Sequence, residues 1–385
     1  MRNSKAVYTA AAAAIALLSA CSSDASRGPS SALPGYAALP DAAVEFAYEA
    51  NEGSTNVSGY KIESDGALTP VKGSPFAAGS SPSGVAVDPT GKFAIASNAG
   101  SSNASAFTID ASSGALAQVK GSPFGAGSAP SGVAVDSAGK FAYVANVGVS
   151  SSSNVSAFSI GSSGALTPVK GSPFAAGTSA QYVAASGKFV YVPNAGSDNV
   201  SAYKIASNGA LTPVKGSPFA AGSEPFGVAV DPTAKFAYVS NFGSSSVSAY
   251  TVNATSGALT PVKGSPFAAG TQACSVIVDP NGKFIYVPND GSANVSAYAI
   301  KSNGALTPVK GSPFAAGSGA CYGAVDPSDK FVYVGNSGAG SISGYQIGNN
   351  GALTPLKGSP FPAGATPAVI ATCGVTSGKC IPSPL

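Results

Sequence analysis

The sequence predicts an all-β chain closed into a seven-bladed β-propeller, with four antiparallel strands per blade and one blade completed by both ends of the chain. Three observations predict it. The tetrapeptide Gly-Ser-Pro-Phe occurs seven times, beginning at Gly73, Gly121, Gly171, Gly216, Gly264, Gly311 and Gly358, in steps of 48, 50, 45, 48, 47 and 47 residues. A period in this range marks one supersecondary module repeated. Every apolar run between copies is strand-sized and bounded by turn residues, and no window has the length or period of a soluble helix. Finally, the first unit begins in mid-module, and the piece it lacks lies at the far end of the chain.

The unit from Gly222 to Phe267 shows the module. Gly227-Val228-Ala229-Val230 is a short β-branched run that stops at Asp231-Pro232. Proline there presets φ, and the aspartate can accept from the backbone beyond it, so this is a turn. Related turns follow Asp88, Asp136, Asp279 and Asp326. The second strand is Phe236 to Asn241, and the third is Val247 to Val252 after a Gly-Ser loop. The fourth follows Ser256-Gly257 and runs from Ala258 through Val262. One such sheet cannot bury both faces, but seven packed radially can. The phenylalanines of the tetrapeptides, with their large apolar area, are expected to pack between blades.

The ends set the closure. Val44 to Tyr48 aligns with a second strand, and the missing first strand is Pro367 to Ala371. Joining them in one blade leaves no long free edge. One unit is irregular: Ser179 to Lys188 lacks the Asp turn and is two residues short, while the loop Gly148 to Ser153 is extended.

Residues 1–20 read as a leader. Arg2 and Lys5 precede an apolar stretch from Ala6 to Leu18, too short to span a bilayer. Leu18-Ser19-Ala20-Cys21 resembles the bacterial lipobox, which implies cleavage before Cys21 and lipid on its sulfur. Residues 21–43, rich in Ser, Ala and Pro, read as the lipidated cysteine and a tether. The propeller is expected over 44–373 and a tail over 374–385. By resemblance to lipoproteins of two-membrane bacteria, Ser22 implies delivery to the outer membrane.

Four cysteines remain. Cys373 and Cys380 bracket a short turn and are read as a disulfide in an oxidising envelope. Cys274 and Cys321 each lie five residues before a turn aspartate, at equivalent places on the innermost strands of neighbouring blades. Blades converge toward the axis, so an inter-blade bridge spanning the roughly 4.4–6.8 Å of an ordinary disulfide is expected. The other reading is two buried thiols.

Composition excludes several functions. Net charge is +3, charged residues are only 10%, and the lysines recur once per blade beside the Asp turns and before Gly-Ser-Pro-Phe. Nothing forms the concentrated basic face that nucleic acid requires. There is no Gly-rich phosphate loop, and with no His a metal centre is poorly supplied, so neither cofactor nor metal is expected.

Strand two ends in Tyr143-Val144-Ala145-Asn146, Tyr191-Val192-Pro193-Asn194, Tyr238-Val239-Ser240-Asn241, Tyr286-Val287-Pro288-Asn289 and Tyr333-Val334-Gly335-Asn336. With Asn-Val-Ser-Ala-Tyr and Gly-Ala-Leu-Thr-Pro-Val after it, the chain resembles the Tyr-Val-Thr-Asn and lactonase-type seven-bladed propellers over residues 44–373. That superfamily includes phosphogluconolactonases and muconate-lactonising enzymes. The resemblance implies a site at the mouth of the central channel built from arginine, histidine and glutamate. This chain has no His, and its only arginines are Arg2 and Arg27, outside the propeller. Fold and activity separate in such families.

The loop entering strand one and the loop leaving strand two share a face. The asparagine that every blade places there (Asn51, Asn98, Asn146, Asn194, Asn241, Asn289, Asn336) is read as a turn residue. Functional residues should instead break the repeat. The departures are Glu52, Gln181, Tyr182, Glu224, Phe226, Phe242, Gln272, Asp290 and Tyr322. Aromatics and acids around a mouth suit a neutral or cationic small molecule, a sugar or a peptide; drift among duplicated blades is the other explanation. The expectation is a lipid-anchored envelope module that binds or scaffolds without catalysis. A lactonase-like hydrolase is the second reading, and a self-associating structural surface protein the third.

Overall fold

The computed structural model describes residues 44–148, 153–376 and 379–382. Among them are seven antiparallel sheets, each one blade. Blades are numbered here by the order of their second strands: Glu45–Asn51, Phe93–Asn98, Phe141–Asn146, Phe189–Asn194, Phe236–Asn241, Phe284–Asn289 and Phe331–Asn336. Blade 1 takes its inner strand from the other end of the chain, Pro367–Thr376, paired antiparallel to Glu45–Asn51. A further strand, Lys379–Pro382, pairs along the other edge of that strand. The ring is therefore closed by its two ends, as expected.

The fourth strand lies where expected, at Leu259–Pro261 in blade 5, and a second short piece not expected from the sequence, Phe267–Ala268, also pairs to the third strand. The break falls at Gly-Ser-Pro, and the serine explains it. Its hydroxyl takes over from the missing strand and accepts the third strand's N–H, as in Ala249 N to Ser265 Oγ at 2.9 Å, with the same bond in all seven blades. The third-strand donor facing the interruption is thereby paired. The following phenylalanine packs between blades, as expected: Phe124 lies in the cluster joining blades 2 and 3, and Phe174 in that joining blades 3 and 4.

The repeated tyrosine and asparagine of strand two also have defined work. Each tyrosine hydroxyl donates to the carbonyl of a turn glycine in the next blade, for example Tyr238 to Gly304 at 3.2 Å. Six blades make this latch; blade 2 carries Ile95 instead. Each asparagine is fully buried. Its amide donates to two third-strand side chains, as Asn98 does to Asn103 Oδ1 (2.8 Å) and Ser105 Oγ (3.0 Å). In blades 4, 5 and 7 its oxygen also accepts from the glycine of the incoming loop. That glycine must be glycine: a Cβ on Gly222 would sit 2.6 Å from Asn241. The asparagine ring is thus a clamp.

At the opposite face the turn aspartates behave as read. Asp88 Oδ1 accepts from the backbone of Lys92 (2.8 Å) and Phe93 (2.7 Å). Blade 4 lacks this turn and reverses through Gly187-Lys188, with Ser186 paired to Phe189 and Gly187 at φ +57°. The two-residue deficit is therefore a tight hairpin.

Candidate functional site

The inner strands line the axis, and each is irregular near its upper end. Blades 1, 2, 3, 5 and 7 show a register shift there, such as Pro130/Val133 and Ala320/Tyr322. Blades 4 and 6 keep only single bridges above short strands, Ala180 to Asn194 and Ala273 to Asn289. A bulge re-aims the side chains beside it. The expected mouth residues on the inner strands, Gln181, Tyr182, Phe226 and Tyr322, all lie at this level.

The bulges bring residues of separate blades together. Tyr182 of blade 4 and Tyr322 of blade 7 have ring centroids 6.0 Å apart. Phe226 of blade 5 lies 5.4 Å from Tyr182 and 6.4 Å from Tyr322, and Phe242 lies 5.8 Å from Phe226. Blades 4 and 7 are on nearly opposite sides of the ring, so this cluster crosses the axis and floors the mouth. Tyr182 and Tyr322 are buried, while Phe226 and Phe242 are half-buried and keep part of each ring open. The disulfide between Cys274 and Cys321 joins blades 6 and 7 in the same apolar cluster, with Cα atoms 4.9 Å apart. That is the inter-blade bridge expected. Cys373 is also disulfide-bonded; the side chain of Cys380 lies outside the described residues, as do Cys21 and the leader.

Glu52 and Asp290 belong to the rim above this floor. Burial raises the Glu52 carboxyl to about 7 and pushes Asp290 up as well. Tyr322 is held well above the ordinary phenol range, first by burial and then by the nearby charge of Glu52; a hydrogen bond with Tyr182 partly offsets this, and Asp290 adds to it. Both acids therefore act on the same phenol.

The remaining expected residues do not join the cluster. Glu224 and Gln272 sit at φ +49° and +57°, a left-handed turn position that Ser81, Ala129, Ser179, Gly319 and Thr366 fill in the other blades. Their side chains lie over Gly243 and Gly291 of their own blades. Gln181 is 5% exposed, and its side-chain oxygen has no hydrogen-bond partner among the described residues.

Sequence reasoning passed over two acids. Glu49 stands where blades 3 to 7 carry Val144, Val192, Val239, Val287 and Val334, yet it is fully buried. Its Oε2 accepts from Tyr60 at 3.1 Å, and burial raises it to about 8. Glu45, at the start of the same strand, is hydrogen-bonded with buried Asp326 of blade 7 and raised to about 9, chiefly by burial and then by that neighbour. The misfit of Glu49 in a Tyr-Val-x-Asn slot was the available signal.

The family model for the lactonase seven-bladed β-propeller matches residues 39–180, 170–276 and 265–361, nearly the whole ring. The chain belongs to the lactonase family. No curated protein matches it. Among solved structures, the periplasmic gluconolactonase of Pseudomonas aeruginosa is similar at 18% identity with a TM-score of 0.73, covering 86% of this chain and 98% of that one. A candidate 6-phosphogluconolactonase from Bacteroides fragilis is similar at 19% identity with a TM-score of 0.72, covering 90% and 99%. At such identities the likeness carries the fold. Within this lactonase-family ring, the loops that bound the mouth face contain four acids, Glu52, Asp198, Glu224 and Asp290, and no lysine, arginine or histidine. The lysines of the Asp turns, Lys92 through Lys330, all stand at the opposite face. Among the described residues no group of three or more His, Cys, Asp or Glu could hold a metal ion.

Proposed function

We propose that this chain is a small-molecule-binding propeller whose site is the mouth above Tyr182, Phe226, Phe242 and Tyr322, and that it does not process phosphorylated sugar lactones. One observation carries the reading: an aromatic floor with acids and no cation on the loops around it. A phosphate needs guanidinium, ammonium or clustered N–H donors to replace its hydration, and four carboxylates repel it. Hydrolysis of an uncharged lactone is the second reading. It is favoured by Glu52, whose carboxyl, raised to about 7, has the affinity of a base at neutral pH and lies within electrostatic reach of Tyr322.

The test sets binding against turnover. Glucono-δ-lactone and 6-phosphogluconolactone are incubated with the protein and ring opening is followed by NMR. The expected result is no rate above the spontaneous one for either. In parallel, ligands screened by thermal shift should stabilise the wild type and lose that effect in Phe226→Ala. Turnover of the uncharged lactone that disappears in Glu52→Gln would replace binding by hydrolysis.

We further propose that the propeller is held at the bacterial envelope through lipid on Cys21, on the strength of Leu18-Ser19-Ala20-Cys21 after a charged, apolar leader. Metabolic labelling with a palmitate probe should mark the wild type, and Cys21→Ser should abolish the label and release soluble protein. A label that survives this substitution sinks the assignment.

A further inference from the structure

The rim is two-sided. The residue after each clamp asparagine is equivalent in all blades, because its N–H donates to the left-handed residue entering the inner strand at 2.9–3.1 Å. Around the ring these positions hold Asp290, Ser337 and Glu52 on blades 6, 7 and 1, then Ala99, Val147, Ala195 and Phe242 on blades 2 to 5. One arc is acidic and polar, and the rest is apolar. All seven residues are half-buried. Partial burial of two carboxylates on one arc, with no cation on any mouth loop, is an unfavourable arrangement for the empty protein. The Tyr322 ring, on blade 7 between the two acids and within electrostatic reach of both, adds a second attraction for positive charge.

We propose that the mouth recognises an organic ammonium ion, its charged head between Glu52 and Asp290 above Tyr322 and its apolar body against Phe226, Phe242 and the arc of Ala99, Val147 and Ala195. This inference rests on the mouth being the binding site, and it names the class of ligand. The missing counter-charge of the acidic arc is then the ligand itself. Binding of the cation favours the ionised carboxylates, so affinity rises with pH through the range in which Glu52 titrates. The titratable groups facing these acids are Tyr322 and, hydrogen-bonded to it, Tyr182. Of the other mouth acids, Asp198 is engaged by the Glu224 N–H at 2.8 Å, and Glu224 is exposed on blade 5.

The experiment is calorimetric titration of the whole mature chain with benzyltrimethylammonium, benzyl alcohol and benzoate, which share a ring and differ in charge. The ammonium ion should bind at least tenfold more tightly than the alcohol, and benzoate should not bind. Its affinity should rise between pH 5.5 and 8.5 and fall with added salt. Glu52→Gln and Asp290→Asn should each weaken it about tenfold without changing the melting temperature at pH 5.5, and Phe226→Ala should weaken the ammonium ion and the alcohol alike. Equal or tighter binding of the alcohol or benzoate, lost in Phe226→Ala, would overturn the cation assignment and leave the mouth as the site. Failure of all three probes to bind would also overturn it, while the ligand screen on wild type and Phe226→Ala judges the mouth separately.

Discussion

Raising the pH from 5 to 9 should lower the melting temperature of this propeller substantially, and Glu49→Val should remove part of the loss. Glu49 titrates near 4.5 as a free side chain and holds its proton to about 8 in the folded state, because burial disfavours the charge. Between those values the native state binds more protons than the unfolded one. Its contribution is fully present below about 4.5 and disappears as pH rises through about 8. Each tenfold gain in proton affinity is worth about 1.4 kcal/mol, so this single fully buried group accounts for roughly 3–5 kcal/mol. Glu45, raised to about 9, acts in the same direction and continues the decline further into the alkaline range. Both acids lie in the seam between blades 7 and 1, where the two ends of the chain close the ring: Tyr60 binds Glu49 and also approaches Pro362 O at 3.5 Å, and Glu45 meets Asp326. Valine is the residue that the same slot carries in five other blades. Glu49→Val should therefore raise the melting temperature by about 5 °C or more at pH 9 and change it little at pH 5. Fluorimetric melts of both proteins across this range decide the matter. Parallel curves, or a wild type indifferent to pH, would show that Glu49 is not the source.

The sequence displayed most of this ring because a repeat repeats its reasons. Gly-Ser-Pro-Phe marks where the outer strand breaks, and the serine acceptor, found in every blade, is the cause. The tyrosine of Tyr-Val-x-Asn bridges to the next blade, and the asparagine clamps two side chains of the third strand. The mouth was legible as a shared face and as a set of departures from the repeat, of which Tyr182, Phe226, Phe242 and Tyr322 meet in one cluster; the meeting itself was not. That Tyr182 and Tyr322 meet across the axis depends on bulges that displace side chains from simple alternation, and bulges leave no composition signature when their residues vary from Gly84 to Tyr322. Glu224 and Gln272 stood out as departures, but a left-handed backbone sends them over their own loops. Glu49 went the other way. A single glutamate in an alternating run looks like a solvent-facing residue until the neighbouring blade covers it.

Deleting residues 367–385 should abolish the folded state. Blade 1 would keep Glu45–Asn51 as its innermost strand, with a full edge of unpaired backbone facing the axis. The lost strand buries Ala368, Val369, Ile370, Ala371 and Cys373, each 1% exposed or less. At about 1.5–3 kcal/mol each for Val369 and Ile370 and about 1 kcal/mol each for the three smaller side chains, these residues together contribute on the order of 8 kcal/mol, which is comparable to the whole stability of a typical domain. The bond from Thr372 to the Val325 carbonyl of blade 7, 2.7 Å long, would go with them. The truncated chain should show no cooperative melt and should aggregate. Closure explains this only if the strand matters by its place in the sheet and not by its place in the chain. Glu45 pairs with Gly374, so the strand's end lies beside the second strand's beginning, the same juncture that an Asp-Pro-x-Gly-Lys turn spans in blade 6. A permuted chain carrying residues 367–374, then that turn, then residues 45–366 should therefore fold and melt cooperatively, below the parent by what the Cys373 disulfide and the strand Lys379–Pro382 contribute. Cooperative melting of the truncated chain at the parental temperature, or failure of the permuted chain to fold, would show that the ring is not held shut by the sheet its two ends share.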